Sequence, residues 1–286
     1  MARSDPPTIG RLTLADLADA EALVAEAGWN QVAADWRIFL DFGMVYAMHD
    51  GAQLIATAAT LPYGGCAWIS MVLVASAHRR RGLATTLLRR CIDDIVAAGM
   101  VPVLDATPAG RAVYAPLGFR EAWSFTRLVS QLRTLARPVQ SSQLEVSPMT
   151  DSIWPALCAY DAAAFGADRS PILARMRGRL APANLYAQRD GRVVGFLLGR
   201  DGRTASHLGP LIAEDDAAAI ALLSHALSAT AGPVHIDLAD TKTDVRQCLE
   251  ACGFAPQRPF TRMLLGRGES FNDGTETFAV IGPEFG

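Results

Sequence analysis

Residues 78–88 read HRRRGLATTLL. An apolar, strand-like run, Ser70-Met-Val-Leu-Val74, comes before them, and a helix-forming sequence follows Gly82. At such a junction the first helical turn leaves backbone N–H groups without intrahelical partners, and the helix dipole is positive there. Gly82 lets a ligand approach the backbone, Ala84 keeps the next position small, and Arg79, Arg80 and Arg81 add charge. Together these features make an anion cradle, for which a diphosphate is the natural occupant. The GK[ST] element of a Walker loop is missing, and the glycine spacing is not that of a dinucleotide fingerprint. The plainer alternative is an exposed arginine run ahead of a helix.

The rest of the chain bounds the reading. Its 286 residues favour two domains, and a 50% hydrophobic share allows a full core in each. The net charge of −3 excludes a globally basic surface for nucleic acid, so the arginine cluster is local. No apolar run reaches the roughly 18 residues of a membrane helix. The first residues, MARSDPPTIG, lack a signal peptide's apolar core. The 5 cysteines form no CxxC pair. They are expected to be reduced thiols of a cytoplasmic protein, and Cys248 with Cys252 lacks the neighbouring ligands of a metal site. No metal is expected.

Two segments repeat in the same order. Residues 46–51 read YAMHDG and residues 186–191 read YAQRDG, each ending in the Asp-Gly signal of a hairpin. Residues 118–127 read GFREAWSFTR and residues 253–262 read GFAPQRPFTR. Two matches in register imply tandem copies of one fold: domains over 1–132 and 144–286, with a polar linker at 133–143. In the first copy, strands are expected over 9–12, 44–48, 53–61, 67–74, 101–104 and 123–129, with helices over 14–27, 31–42, 82–98 and 110–117. The second copy repeats that order. The fold class is α/β (α+β), a mixed sheet with helices on both faces.

The pattern Val74-x-x-x-x-Arg79-x-x-Gly82-x-Ala84, following a strand and opening a helix, resembles motif A of the GNAT superfamily of N-acetyltransferases. Tyr114 ahead of Gly118-Phe119 is similar to that family's downstream pattern. The resemblance covers residues 8–129 directly and the second half through the repeat. It departs at Ser76, where many members have proline. It implies that acetyl-coenzyme A lies along Val72, Leu73, Val74, Arg79, Arg80, Arg81, Gly82, Leu83, Ala84 and Thr85. It implies that a backbone N–H within Val72–Val74 polarises the thioester carbonyl, and that Tyr114 protonates the departing thiolate; packing in the core is the rival role for Tyr114. Members with a general base often place a carboxylate on the strand before the loop. Here residues 68–74, WISMVLV, carry none, so the amine arrives neutral or the base comes from elsewhere.

At the second copy of the cradle the sequence is Glu214-Asp215-Asp216-Ala-Ala-Ala. Carboxylates suit a helix N-terminus but repel a pyrophosphate. The second domain is therefore expected not to bind coenzyme and to complete an acceptor pocket. Asn30, Tyr63, Asp161, Asp168 and Asp237 are the acceptor candidates, and an acidic pocket would suit a cationic amine. Each has a plain alternative, such as helix capping for Asp168. His235 reads as a core histidine. The tail, TFAVIGPEFG, reads as an added strand that packs on the fold. The expected partner is a small-molecule or peptide amine, with no nucleic acid or membrane, in a monomer or homodimer. A non-catalytic coenzyme sensor and an enzyme using another acyl donor are the rivals.

Overall fold

The computed structural model describes residues 8–130, 144–271 and 274–286. The chain divides after Val103 into two compact units. The first unit contains β1 (Ile9–Arg11), α1 (Leu17–Glu26), α2 (Ala33–Phe42), β2 (Met44–Asp50), β3 (Gln53–Tyr63), β4 (Cys66–Val74), α3 (Leu83–Ala97) and the start of β5 (Val101–Ala106). Strands β1 to β4 pair antiparallel in sequence order, and β5 joins β4 in parallel. The β2–β3 hairpin turns at Gly51, whose φ of 59° needs the missing Cβ. Strand β3 is buried from Leu54 to Leu61 because α1, α2 and α3 all pack on it. That explains its nearly continuous small and apolar sequence. Helix α3 buries Leu83, Leu87, Leu88, Cys91 and Ile95 on one stripe.

The second unit takes the end of β5 and then α4 (Pro108–Tyr114), β6 (Phe119–Ser130), β7 (Glu145–Pro148), α5 (Trp154–Phe165), α6 (Ser170–Met176), β8 (Leu185–Arg189) and β9 (Arg192–Arg200). It continues with β10 (Ser206–Ala213), α7 (Asp216–Ala229), β11 (Val234–Ala239), α8 (Thr243–Ala251), β12 (Ala255–Leu265) and β13 (Thr277–Ala279). Its strands lie in the order β12-β6-β11-β13-β10-β9-β8-β7. The expected tail strand is thus present as β13, and it lies inside the sheet.

The two Gly-Phe…Phe-Thr-Arg repeats become β6 and β12, which pair antiparallel with Phe125 opposite Phe260. Those rings stack with centroids 5.1 Å apart. The same repeat position meets itself, so the two strands are related by a local two-fold. Each repeat arginine makes a bidentate pair: Arg127 donates to both oxygens of Asp237 at 2.7 Å, and Arg262 to both oxygens of Asp105 at 2.9 Å. Strand β6 belongs to the first sequence repeat, yet its partners β11 and β12 belong to the second. For that reason the compact units part after Val103, whereas the repeats divide around 133–143. That linker lies outside the described residues.

The expected helix 110–117 begins earlier, at Pro108. The Thr107 hydroxyl caps it by accepting from the Gly110 N–H at 3.2 Å, and Pro108 needs no such partner. It ends at Tyr114 and gives way to a tight turn at Ala115–Leu117. The cysteines are free thiols, and burial pushes the Cys91 thiol up to about 12. Among the described residues there is no metal-holding cluster of His, Cys, Asp and Glu, and no helix long and apolar enough to cross a membrane.

Two histidines of the second unit link its stability to pH. Burial, with the charges of Arg200 and Arg127 adding to it, pushes His207 well below its ordinary value. Burial, with Arg127 adding to it, pushes His235 down to about 4. Groups with a depressed folded pKa contribute stability above their unfolded pKa, here 6.5, and lose it as pH falls toward the folded value. The urea midpoint is expected to fall steadily from pH 7 to pH 4, and less steeply in His235→Gln. Equal slopes for the two proteins would remove His235 from the account.

Candidate coenzyme site

The parallel ladder of β4 and β5 runs from Cys66–Val101 to Trp68–Val103, and β4 continues to Val74. Beyond the ladder β4 is bulged. Thr57 lies opposite Leu73 and Ala59 opposite Ser70, leaving an extra residue on β4. Met71 takes φ of 51°, a strained value for a side-chain-bearing residue, and the Thr57 hydroxyl donates to the Met71 carbonyl at 2.8 Å. Such a bulge re-aims the backbone and side chains that follow it, here Val72 to Val74.

After Val74 the chain makes a short 3-10 turn, Ser76–His78, and reaches α3 through two residues of positive φ, Arg80 at 61° and Gly82 at 82°. Gly82 is the N-cap, and among the described residues no side chain caps this helix start. The first-turn N–H groups therefore face outward with the positive end of the dipole. A cavity of about 470 Å³ opens there, lined by Ala27, Trp29, Val72, Leu73, Val74, His78, Arg79, Arg80, Gly82, Leu83, Ala84 and Thr85. Nine of the ten coenzyme residues expected from the sequence line this one cavity, and Arg81 alone does not. The volume, the uncapped helix start and the arginines fit a diphosphate-bearing group.

Sequence reasoning missed some of the residues that hold the loop. Glu26, at the end of α1, accepts from the Ser76 N–H and stands 3.8 Å from the Arg79 guanidinium. The Ser76 hydrogen bonds hold its carboxyl below the usual range, and Arg79 adds to this. Arg79 also donates through Nε to the Val74 carbonyl at 3.2 Å. His78 reaches Asp50 at 3.3 Å, tying the loop to the hairpin turn. Glu26 is 50 positions from Ser76, and no local pattern links them.

In the second unit the equivalent helix start is filled by its own carboxylates. Asp215 caps α7 by accepting from the Ala218 N–H at 2.9 Å, and its other oxygen takes Arg189 at 2.7 Å. Glu214 takes Arg192 at 2.6 Å. Tyr114, also in this unit, closes α4, with its ring 6.1 Å from that of Phe119. Burial raises its phenol pKa above the ordinary tyrosine value. A Cβ on Gly110 would stand 2.9 Å from the Tyr114 ring, so glycine leaves the room in which that ring lies.

The acceptor candidates scatter. In the first unit, Asn30 is 3% exposed and Tyr63 is 2% exposed, with the Tyr63 ring set edge-on to Trp68 at 5.7 Å. In the second, Asp161 receives Arg169 through both oxygens at 2.9 Å, and both side chains are 1% exposed. Asp237 is spent on Arg127 in the same way. Asp168 is exposed and accepts from the N–H of Ser170, the first residue of α6, at 2.9 Å. The expected acidic pocket of Asp161, Asp168 and Asp237 is therefore not an open one. Two of these carboxylates neutralise buried arginines, and the third accepts from the first N–H of α6.

A family model described as the acetyltransferase (GNAT) family matches residues 15–119, and a second, described as the acetyltransferase (GNAT) domain, matches residues 157–279. The chain is a tandem member of the GNAT superfamily. It is 23% identical to the uncharacterized N-acetyltransferase YitH of Bacillus subtilis over 234 residues, covering 81% of this chain and 82% of that one. Its fold is similar to that of a proposed acetyltransferase from Pyrococcus horikoshii, with a TM-score of 0.79, 19% identity, and coverage of 100% of this chain and 98% of that one. A tandem GNAT protein from the clavulanic acid biosynthesis pathway aligns with a TM-score of 0.64 and 13% identity, over 91% of this chain and 98% of that chain.

The bulge of this GNAT chain can be tested without ligand. Thr57→Val removes the donor to the buried Met71 carbonyl, and is expected to cost about 1–3 kcal/mol in urea unfolding. A change under about 0.5 kcal/mol, the size of an ordinary surface substitution, would show that the bulge holds without that bond.

Proposed function

We propose that the protein is an N-acetyltransferase that takes the acetyl group of acetyl-coenzyme A and passes it to a primary amine by direct attack. The observation that carries this is the cavity at the uncapped start of α3, where Arg79, Arg80 and four consecutive residues from Gly82 to Thr85 converge. A pyrophosphate needs several N–H donors and positive charge in one place, and this site offers both. The carboxylates of Glu214 and Asp215 at the second helix start support one coenzyme per chain.

The reaction asks for three things. The amine must attack as the neutral base. As the nitrogen–carbon bond forms, the carbonyl oxygen becomes an oxyanion and needs a donor, the role assigned to an N–H within Val72–Val74. As the carbon–sulfur bond breaks, the thiolate needs a proton. Tyr114 is assigned that role, and the amine's own proton leaves to solvent or a base, after which Tyr114 is reprotonated. A phenol, whose pKa burial raises, is a proton donor suited to that task. A coenzyme-binding protein without turnover is the second reading. It rests on the lack of a carboxylate among residues 68–74.

Two measurements test the reading. Gly82→Glu places a carboxylate at the helix start, with φ of 82° strained for any side chain, and is expected to weaken acetyl-coenzyme A binding at least about a hundredfold in calorimetry. Unchanged affinity would send the arginines to another task. Tyr114→Phe is expected to lower kcat about a hundredfold on a panel of primary amines, followed by release of the free thiol, with coenzyme affinity kept. Equal turnover would return Tyr114 to packing, and binding without turnover in the unaltered protein would favour the second reading.

A further inference from the structure

Strands β10 and β11 begin as a parallel pair, Ser206 opposite Val234 through Leu208 opposite Ile236, and then part. Parted strands inside a sheet leave inward-facing N–H and C=O groups that must find partners. In this unit the partner is β13 and the residues around it. Ala279 of β13 lies opposite Leu211 of β10 on one side and Leu238 of β11 on the other. The Val280 N–H donates to the Asp237 carbonyl at 3.1 Å, and the Ala213 N–H donates to the Glu276 carbonyl at 3.0 Å.

The walls are shaped for this segment. At the point of parting stand Gly209 and Pro210. A Cβ on Gly209 would stand 2.0 Å from the Val280 carbonyl oxygen, so no other residue fits under the tail there. Pro210 brings no N–H that would need a partner. Phe278, Val280, Ile281 and Phe285 are each at most 2% exposed. Two buried arginines fix the far end: Arg200 pairs with Glu284, and Arg169 donates to the Gly286 carbonyl at 2.6 Å. Arg169 is itself held by Asp161, and Arg200 lies 5.4 Å from the Phe285 ring centroid. Residues 274–286 are thus held as a bound peptide would be, by main-chain bonds on both edges, apolar side chains within, and a carboxylate on an arginine.

We propose that the second unit contains a peptide slot between the parted strands β10 and β11, and that its resident ligand is the chain's own segment 274–286. The slot accepts an extended apolar strand followed by an acidic residue and an aromatic one, and the resident segment closes it to any other occupant. This stands on the second unit alone and does not depend on the acetyltransfer reading.

The test begins from folded protein. A protease site is inserted after the exposed Glu269, the purified protein is cleaved, and the nicked product is passed over a sizing column in native buffer. The peptide is expected to travel with the body. In the same nicked protein carrying Glu284→Gln, which leaves Arg200 without its buried carboxylate, the peptide is expected to leave at least about tenfold faster. Loss of the peptide on first passage from a body that keeps its circular dichroism spectrum and melting temperature would overturn the proposal. So would equal dissociation rates for the two nicked proteins.

Discussion

Two parallel strands that begin side by side and then separate leave backbone groups facing a gap, and the chain must satisfy or solvate them. The constraint arises twice, because the sequence repeats. Where β10 and β11 part, β13 enters and pairs with both, and the gap is filled. The ladder of β4 ends at Trp68, the strand bulges at Met71, and its last residues line an open cavity. One copy fills its gap with its own peptide, and in the other the last residues of β4 line a cavity at the start of α3.

Charge follows the same division. The start of α3 carries arginines and a bare glycine cap, so its positive dipole end is available. The start of α7 carries Asp215 and Glu214, whose oxygens are taken by Ala218, Arg189 and Arg192. A helix N-terminus that supplies its own anion has little left for another. These few side chains separate a candidate ligand site from a structural one on otherwise repeated elements. In a protein of net charge −3 the arginine cluster is a local device and not a general attraction for anions.

Much of this was legible in the sequence, because local chemistry decides it. The two Asp-Gly turns gave hairpins, and the Val74–Ala84 pattern gave a strand, a turn and an uncapped helix. The paired Gly-Phe…Phe-Thr-Arg segments gave equivalent strands. What escaped depends on partners far along the chain. Nothing near Phe125 says that it will stack on Phe260, or that β6 will lie between β12 and β11. Asp237 looked like a candidate for acceptor binding until Arg127, 110 positions away, took both its oxygens. Asp161 was lost to Arg169 in the same way, since a carboxylate in an alanine-rich helix looks exposed until its partner is known. The tail was legible as a strand but not as the filling of a sheet, because its place is set by a gap made elsewhere.

The most direct test of the central claim is a crystal structure of the protein grown with acetyl-coenzyme A. The account predicts one coenzyme per chain, with its pyrophosphate against the backbone N–H groups of residues 82–85 and none at the start of α7. A coenzyme seated beside Asp215, or one that displaces residues 277–281 from between β10 and β11, would contradict it.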